Sequence, residues 1–267
     1  MNLRIAPKLR LIALVILVGC SSAGQRIERR AQQAGLETIR IESGAFPGLI
    51  YMKTTEPAPA RPLLVFIEGD GLPWRNGREP SADPTTLHPI ALELLTRSPA
   101  PAAYVTRPCY QGLGSDKCTP EHWTGGRYSI EIVASMAASV REAQRRSSAN
   151  EVTLIGYSGG GVLAVLIAER LEHVVGVVTL AANLDTDAWT KHHGYLPLSQ
   201  SLNPALSDRS HGWPELHLRG TADAVVPSQT TSAYFERYPE AKQRVIDGYD
   251  HVCCWVRDWE SLLREVL

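Results

Sequence analysis

The sequence predicts an α/β protein with a mostly parallel, doubly wound sheet and helices on both of its faces. Apolar runs of strand length, bounded by turn residues, occur at 63–67, 102–106, 152–155, 174–180 and 216–218. Their apolarity is continuous rather than alternating, as is typical of strands covered on both faces. Segments with helical periodicity separate or follow these runs, at 85–97, 129–146, 160–171, 228–238 and 255–266. This alternation predicts right-handed parallel crossovers, and such sheets bind ligands at the carboxyl ends of their strands.

The first twenty residues differ from the rest of the chain. A basic start is followed by an apolar run at 11–18 and then by Gly19 and Cys20. This order is typical of a secretory signal and is too short to span a bilayer comfortably, so we predict a signal peptide at residues 1–19. The four residues that end at Cys20 resemble the bacterial lipobox. That resemblance implies a lipid-acylated Cys20 and a protein anchored in a bacterial cell envelope, and Ser21 fits the outer membrane, facing the periplasm. A secretory signal with a chance cysteine is the alternative.

Behind this anchor, the sequence predicts a short tether and then one domain. Residues 20–35 are polar and charged; they are expected to begin as a tether before becoming helical and to hold the domain, residues 36–267, clear of the membrane. Two short strands at 38–41 and 49–53 precede a loop at 56–62, where Pro is too dense to join a central ladder. The formal charge of -1 leaves no basic excess for a phosphate backbone. We therefore expect no nucleic-acid partner.

Four further cysteines lie in a chain that is predicted to be exported. An even number of cysteines in an oxidising compartment favours disulfides. Cys109 and Cys118 are the preferred pair, because both lie in one Gly-rich stretch that a short covalent loop would hold. Cys253 and Cys254 would then form a vicinal pair or stay as thiols. The remaining alternative is that all four cysteines are reduced and packed.

A strand, a sharp turn and a helix start are predicted around Ser158. Gly156, Ser158 and Gly160 satisfy the G-x-S-x-G pattern, which places a serine on a strained turn at the positive end of a helix. Glycines are needed two residues on either side because larger side chains would collide there. We therefore predict that Ser158 is a catalytic nucleophile.

A serine hydroxyl needs a general base, and that base needs an orienting carboxylate. Asp223 lies on the loop after the fifth apolar run, and His251 lies on the loop after the next strand. The chain order Ser, Asp, His is the one used with this kind of nucleophile turn. Asp185, which follows an earlier strand, is the alternative acid. Asp250 adjoins His251, and neighbouring side chains rarely face each other; His217 has a weaker claim as a base because it lies inside a strand.

Through the segments around Ser158, Asp223 and His251, the chain resembles the α/β-hydrolase superfamily from residue 63 to its C-terminus. More narrowly, it resembles bacterial α/β-hydrolase lipoproteins in the segments 107–109, 123, 127–129, 156–161 and 182–185. The resemblance implies an α/β-hydrolase fold preceded by a lipoprotein signal peptide. It also implies that Asp223 orients His251, and that His251 takes the proton of Ser158 and returns it to the leaving group.

The oxyanion of such a reaction needs backbone N–H donors aimed at the developing charge. Gly159, directly after the nucleophile, is the first predicted donor. The second is expected in the turn at 68–74, where glycines let the backbone approach closely; Asp70 is preferred and Gly71 is the alternative. This turn resembles the His-Gly motif of the superfamily but has Glu68 in place of the histidine.

The sequence therefore predicts a serine hydrolase that cleaves a carboxylic ester or an amide through an acyl-serine. Carboxylesterase activity is preferred; a serine peptidase and a catalytically silent envelope lipoprotein that uses the fold for binding are the alternatives. Residues 185–212 form a long insertion that is expected to act as a lid, a substrate wall or surface packing. The sequence has no H-E-x-x-H motif or paired Cys/His spacing, so no metal or cofactor is expected. The expected partners are a small ester or amide and the membrane.

Overall fold

The computed structural model describes residues 21–42, 45–54, 61–208 and 212–266. Within them, eight strands form a sheet in the order β1-β2-β6-β3-β7-β8-β9-β10, and β4 pairs with β5 in a separate hairpin. The strands are β1 Glu37–Ile41, β2 Gly48–Lys53, β3 Leu63–Ile67, β4 Trp74–Arg75, β5 Glu79–Pro80, β6 Ala102–Val105, β7 Val152–Tyr157, β8 Val174–Leu180, β9 Glu215–Gly220 and β10 Lys242–Ile246. β2 is antiparallel to β1 and β6, and all other neighbours in the large sheet are parallel. The predicted mostly parallel sheet is confirmed.

Helices cover both faces of the sheet. Their bounds are α1 Ala23–Gln33, α2 Ile90–Thr96, α3 Ile130–Ser147, α4 Gly159–Ala168, α5 Thr186–His193, α6 Ser232–Arg237 and α7 Trp255–Val266. Residues of α3, α4 and α6 pack on one face, and residues of α1, α2 and α7 pack on the other. Side chains along β3 alternate between these two cores: Val65 joins the first, whereas Leu64 and Phe66 join the second. Burial on both faces explains why the sequence of β3 is continuously apolar.

The parallel strands β3, β6, β7, β8, β9 and β10 point in one direction. The loops that leave their C-terminal ends therefore lie along one side of the sheet, which we call the carboxyl edge. The segments that contain Asp70, Ser158, Asp223 and His251 follow β3, β7, β9 and β10 respectively. The topology alone thus brings these distant parts of the chain to the same edge.

The N-terminal segment is helical, as expected, and the helix is docked on the domain. From Ser22 onward it forms the cap and body of α1, whose Ile27 and Ala31 are buried against the domain. The Arg30 Nη2 donates to the Glu93 carboxylate at 2.8 Å. The polar composition concealed this docking because only a narrow stripe of small and apolar residues faces the core. Cys20 and the predicted signal peptide lie outside the described residues.

Two predicted helices are shorter or more irregular than their sequence pattern suggests. The helix expected at 85–97 begins only at Ile90, directly after Pro89, which resists a preceding helical residue. The helix expected at 228–238 divides into a 3₁₀ turn, Ser228–Thr231, and α6. Both changes occur next to the carboxyl edge or its loops. There the backbone is irregular, and it positions the side chains of these loops.

Both cysteine pairs are disulfide-bonded. The predicted Cys109–Cys118 bond joins residues with a Cα–Cα distance of 5.6 Å, which lies within the usual range. Cys253 and Cys254 form the vicinal pair that was one of the two predicted alternatives. Among the described residues, no helix has the length and apolarity that a bilayer crossing requires.

Candidate active site

The nucleophile turn connects β7 to α4. Ser158 adopts φ 52° and ψ −126°, a strained conformation for a residue with a side chain. The glycines permit it, because a Cβ on Gly156 would overlap the carbonyl of Gly160 and a Cβ on Gly160 would overlap the carbonyl of Ile67. Ser158 therefore stands between the end of a buried strand and the first turn of a helix, as the pattern predicted.

The three predicted side chains form one hydrogen-bonded line. The Ser158 Oγ lies 3.1 Å from His251 Nε2, and His251 Nδ1 lies 2.9 Å from Asp223 Oδ2. Because a carboxylate can only accept, Nδ1 carries a proton and Nε2 of the neutral ring is left to accept from the serine hydroxyl. The Tyr157 hydroxyl and the Trp255 indole both donate to the His251 carbonyl at 3.0 Å. They hold the backbone of the histidine in place.

Backbone amides orient the Asp223 carboxylate. Its Oδ1 accepts hydrogen bonds from the amides of Val225 at 2.9 Å and Val226 at 2.8 Å. These two bonds leave Oδ2 directed at the imidazole. The side chain of Asp223 is 2% exposed, so water does not compete strongly for it.

The alternative acids have other partners. Asp185 caps α5 and accepts the amides of Asp187 and Ala188 at 3.2 and 3.1 Å. Asp250 accepts the amides of Val252 and Cys253 at 2.8 and 2.6 Å. Both carboxylates organise their own loops, so the geometry favours Asp223 over Asp185 and Asp250 as the partner of the histidine.

The turn that contains the predicted second oxyanion donor lies close to the nucleophile. A Cβ on Gly69 would lie 3.2 Å from Ser158 Cβ, so the peptide that links Gly69 to Asp70 passes beside the serine. Among the hydrogen bonds of the described chain, the amides of Asp70 and Gly159 have no acceptor. Gly71 instead packs against Pro84. Asp70 thus remains the predicted second donor.

Asp70 carries a partly buried carboxylate at the centre of a charged cluster. Arg107 and Arg127 donate to it at 2.6 and 2.8 Å. The Tyr128 hydroxyl donates at 2.7 Å, and the Tyr110 hydroxyl donates to the Asp70 carbonyl at 3.0 Å. Burial alone raises the pKa of Asp70, but the two guanidinium groups outweigh burial and lower the pKa to about 2. The cluster holds Asp70 from both its side chain and its backbone and has a net positive charge.

Sequence reasoning did not connect these arginines with the oxyanion turn. The arginine side chains are 1% and 5% exposed, so they support the turn from within rather than offering a surface to substrate. A buried arginine needs a carboxylate partner. Asp70 lay in the predicted catalytic turn and was the signal that could have revealed the cluster.

Glu68 has a structural role where the superfamily motif has histidine. Its carboxylate is buried and accepts the amides of Gly69 at 3.2 Å and Ala91 at 3.1 Å. It therefore joins the oxyanion turn to the first turn of α2. Burial raises the pKa of Glu68 to about 7, although the backbone hydrogen bonds act in the opposite direction.

The insertion at 185–212 contains α5, which contacts the acid loop. Trp189 Nε1 donates to the Val225 carbonyl at 2.8 Å, and His193 Nε2 lies 2.8 Å from the same oxygen. Because a carbonyl only accepts, the ring nitrogen of His193 is the donor. These contacts give α5 a position beside Asp223; the predicted lid role of the insertion stays a prediction.

Comparisons with known proteins agree with the fold. No protein-family model matches the chain, and no curated protein matches its sequence. Among solved structures, an esterase from Pyrococcus furiosus has a TM-score of 0.62 and 14% identity, over 88% of this chain and 92% of that chain. Puromycin hydrolase has a TM-score of 0.57 and 16% identity, over 85% of this chain and 38% of its own. A bacterial membrane phospholipase A has a TM-score of 0.57 and 14% identity, over 91% of both chains. The chain has the α/β-hydrolase fold, as its sequence predicted.

Proposed function

We propose that this protein is a serine hydrolase that cleaves a carboxylic ester through an acyl-serine on Ser158. The observation that carries the proposal is the unbroken line from Ser158 Oγ through His251 to Asp223, with separations of 3.1 and 2.9 Å. A hydroxyl, an imidazole and a carboxylate in this order are the parts that activate a serine. The geometry is within hydrogen-bond reach without any conformational change.

Acylation begins with attack of the Ser158 oxygen on the ester carbonyl. His251 Nε2 takes the serine proton as the new C–O bond forms, and Asp223 stabilises the resulting imidazolium. The carbonyl electrons move to oxygen, where the amides of Gly159 and Asp70 are the proposed donors, each worth ~3 kcal/mol in comparable sites. Collapse of this intermediate expels the alcohol, which receives the proton from Nε2.

Deacylation repeats these steps with water. His251 removes a proton from the water as its oxygen attacks the acyl carbon, and the same amides face the oxyanion. The Ser158 oxygen then leaves with the proton from Nε2, and a carboxylic acid is released. The enzyme returns to its starting state, so the balanced reaction needs no cofactor.

Esters are the preferred substrate class and amides the alternative. Structural neighbours support both, because they include an esterase and a phospholipase A as well as puromycin hydrolase. A panel of p-nitrophenyl esters of increasing acyl length and of aminoacyl amides, presented to the soluble chain without its leader and Cys20, distinguishes them. We expect ester turnover that Ser158→Ala abolishes. Turnover of amides alone would establish the peptidase alternative, and a folded protein that cleaves neither class would contradict the proposal.

We further propose that the mature protein is anchored in the bacterial envelope by lipid on Cys20, facing the periplasm from the outer membrane. Support comes from the basic start, the apolar run and the lipobox-like end of residues 1–19. Thioether-linked diacylglycerol together with an amide-linked acyl chain would anchor the protein stably. Labelled palmitate should enter the wild-type chain and not the Cys20→Ala variant. A processed wild-type chain without label would refute the anchor.

A further inference from the structure

The point where the proposed anchor joins the domain is hydrogen-bonded to the first helix. Ser21 is bound to α1 by two arginines: Arg26 Nη1 donates to its carbonyl, and Arg29 Nη2 donates to its hydroxyl, both at 2.7 Å. Ser22 closes the first turn of α1 with a capping box. A trans peptide separates neighbouring Cα atoms by about 3.8 Å. A lipid attached to Cys20 would therefore be separated from the capped helix by little more than one residue of chain.

The first turn of α1 lies at the carboxyl edge. A Cβ on Gly24 would lie 2.7 Å from the carbonyl oxygen of Gln111, which belongs to the loop after β6. Its neighbour Tyr110 donates a hydrogen bond to the Asp70 carbonyl at 3.0 Å. Two consecutive residues thus connect the start of α1 to the oxyanion turn. The anchor is attached on the same side of the sheet as Ser158.

Large apolar side chains are exposed in the loops of this edge. They follow β3, β8, β9 and β10 and are Leu72, Leu87, Tyr195, Leu196, Val225 and Val252. Leu196 is the most exposed, at 73%. Val225 lies two residues after Asp223, and Val252 directly follows His251. Apolar side chains around an anchored edge favour contact with lipid, because contact removes them from water.

We infer that the carboxyl edge rests on the membrane that holds Cys20, and that the substrate is an amphiphilic acyl ester taken from that membrane surface. This inference rests on the proposed hydrolase function and anchor, and it specifies which edge of the domain faces the membrane. The short, docked attachment keeps Ser158 beside the bilayer, and the exposed apolar rim contacts its interface. An acyl ester located there has its carbonyl near the interface and its chain in lipid, so it reaches the serine without crossing water.

Orientation can be tested without catalysis. The full-length chain carrying Ser158→Ala is processed in bacteria and placed in vesicles of phosphatidylethanolamine and phosphatidylglycerol. Amide hydrogen exchange is compared with that of the soluble form without Cys20. We expect slower exchange in vesicles at 72–87, 195–196 and 252–254, and unchanged exchange at 148–151 and 171–173, which lie at the opposite edge. Protection of the opposite edge, protection of neither, or a Cys20 without lipid overturns the inference.

Activity tests the role of the short attachment. A flexible Gly-Ser segment of about twenty residues can be inserted between Cys20 and Ser21. It lets the domain move away from the bilayer, so the effective concentration of the carboxyl edge at the bilayer surface falls. We expect hydrolysis of a vesicle-embedded acyl ester, relative to a soluble p-nitrophenyl ester, to fall about tenfold. Leu196→Asp should lower the same ratio, whereas the control Asn150→Asp, exposed at the opposite edge, should leave it unchanged. An unchanged ratio in the first two variants overturns the inference.

The outcomes separate this inference from the proposed function. Soluble esters cleaved by all variants, with no preference for the vesicle substrate, would leave the hydrolase intact and remove the membrane orientation. Protection of the carboxyl edge without any ester cleavage would support the orientation and refute both the hydrolase and its membrane substrate. Protection together with a linker-sensitive ratio supports the whole proposal.

Discussion

Within the part of the chain that the structure describes, a carboxylate, an imidazole and a hydroxyl are joined in a line at two places, and the two lines differ in their surroundings. The first runs from Asp223 through His251 to Ser158. In the second, His217 Nε2 lies 2.9 Å from Glu215 Oε2, and His217 Nδ1 lies 2.8 Å from Thr179 Oγ1. The distances in the two lines are nearly the same. Functional groups and separations therefore do not distinguish them.

Position in the sheet makes the difference. Glu215 and His217 lie two residues apart on β9, and Thr179 lies opposite His217 on β8. The second line is thus built within the sheet, between two paired strands, and His217 is completely buried. Ser158 instead lies beyond the end of β7, at the start of α4 and beside the amides proposed for an oxyanion. The candidate site is therefore defined by the position of its serine at the end of a strand and by the nearby amide donors, and not by the three side chains alone.

The largest expected effect is a loss of turnover when the line of Asp223, His251 and Ser158 is altered. Asp223→Asn keeps an oxygen for the amides of Val225 and Val226 but places an NH₂ group against His251 Nδ1. The imidazole must then adopt the wrong tautomer, so we expect kcat to fall about 10⁴-fold with little loss of stability. Ester turnover and urea unfolding measure the two properties. As a control, Thr179→Val in the second line should leave kcat/KM of the folded protein nearly unchanged; a comparable fall there would remove the distinction between the lines.

Glu215→Ala should produce the converse result. Glu215 accepts the Tyr234 hydroxyl at 2.7 Å and the Trp213 indole at 3.1 Å as well as His217. Its removal leaves buried polar groups without this acceptor and should cost about 3–5 kcal/mol of unfolding free energy. Turnover per folded molecule should stay near that of the wild type. Full stability with lost activity would show that the buried line takes part in catalysis.

Glu68 is a buried carboxylate beside the carboxyl edge, and its titration makes the free energy of unfolding depend on pH. Its pKa of about 7 in the folded protein lies above its ordinary value of 4.5. The folded state therefore retains the proton longer, and stability is lost as pH rises from about 4.5 through about 7, by on the order of 3 kcal/mol. Glu68→Gln stays neutral and should gain relative stability over this range in urea unfolding. An equal difference between variant and wild type at pH 4.5 and pH 8 would contradict this origin.

The smallest expected effect concerns α5. Trp189→Phe removes one hydrogen bond to the Val225 carbonyl but keeps an aromatic ring. Loss of about 1 kcal/mol of positioning energy should lower kcat/KM about fivefold through the acid loop, with KM little changed. His192→Ala, a substitution at an exposed neighbour, is the control. Equal effects of the two substitutions would show that α5 does not position Asp223.

The sequence predicted most of the sheet and the proximity of Ser158, His251 and Asp223 because both depend on strong local patterns. Continuous apolar runs marked β3, β7 and β8, and the glycines around Ser158 marked the nucleophile turn. Long-range pairing left weaker signals. The cluster of Asp70 with Arg107 and Arg127 joins three separate segments. The spacing of these three residues along the sequence does not predict their contact.

Polar composition concealed other features. The docking of α1 depends on three small or apolar positions among charged residues, so the composition did not reveal which face the helix buries. Asp185 resembled a catalytic acid in its location after β8, but its carboxylate caps the next helix. In both cases one local observation was compatible with two structures, and only tertiary contacts decide between them.

The most direct test of the central claim is covalent labelling of the folded, soluble protein by a fluorophosphonate probe, followed by mass spectrometry of its peptides. An activated serine next to oxyanion donors attacks such a probe, whereas an ordinary hydroxyl does not. We expect one adduct, on Ser158, that is absent from Ser158→Ala and strongly reduced in His251→Ala. A folded wild-type protein that never acquires the adduct, or acquires it equally in Ser158→Ala, would contradict the account.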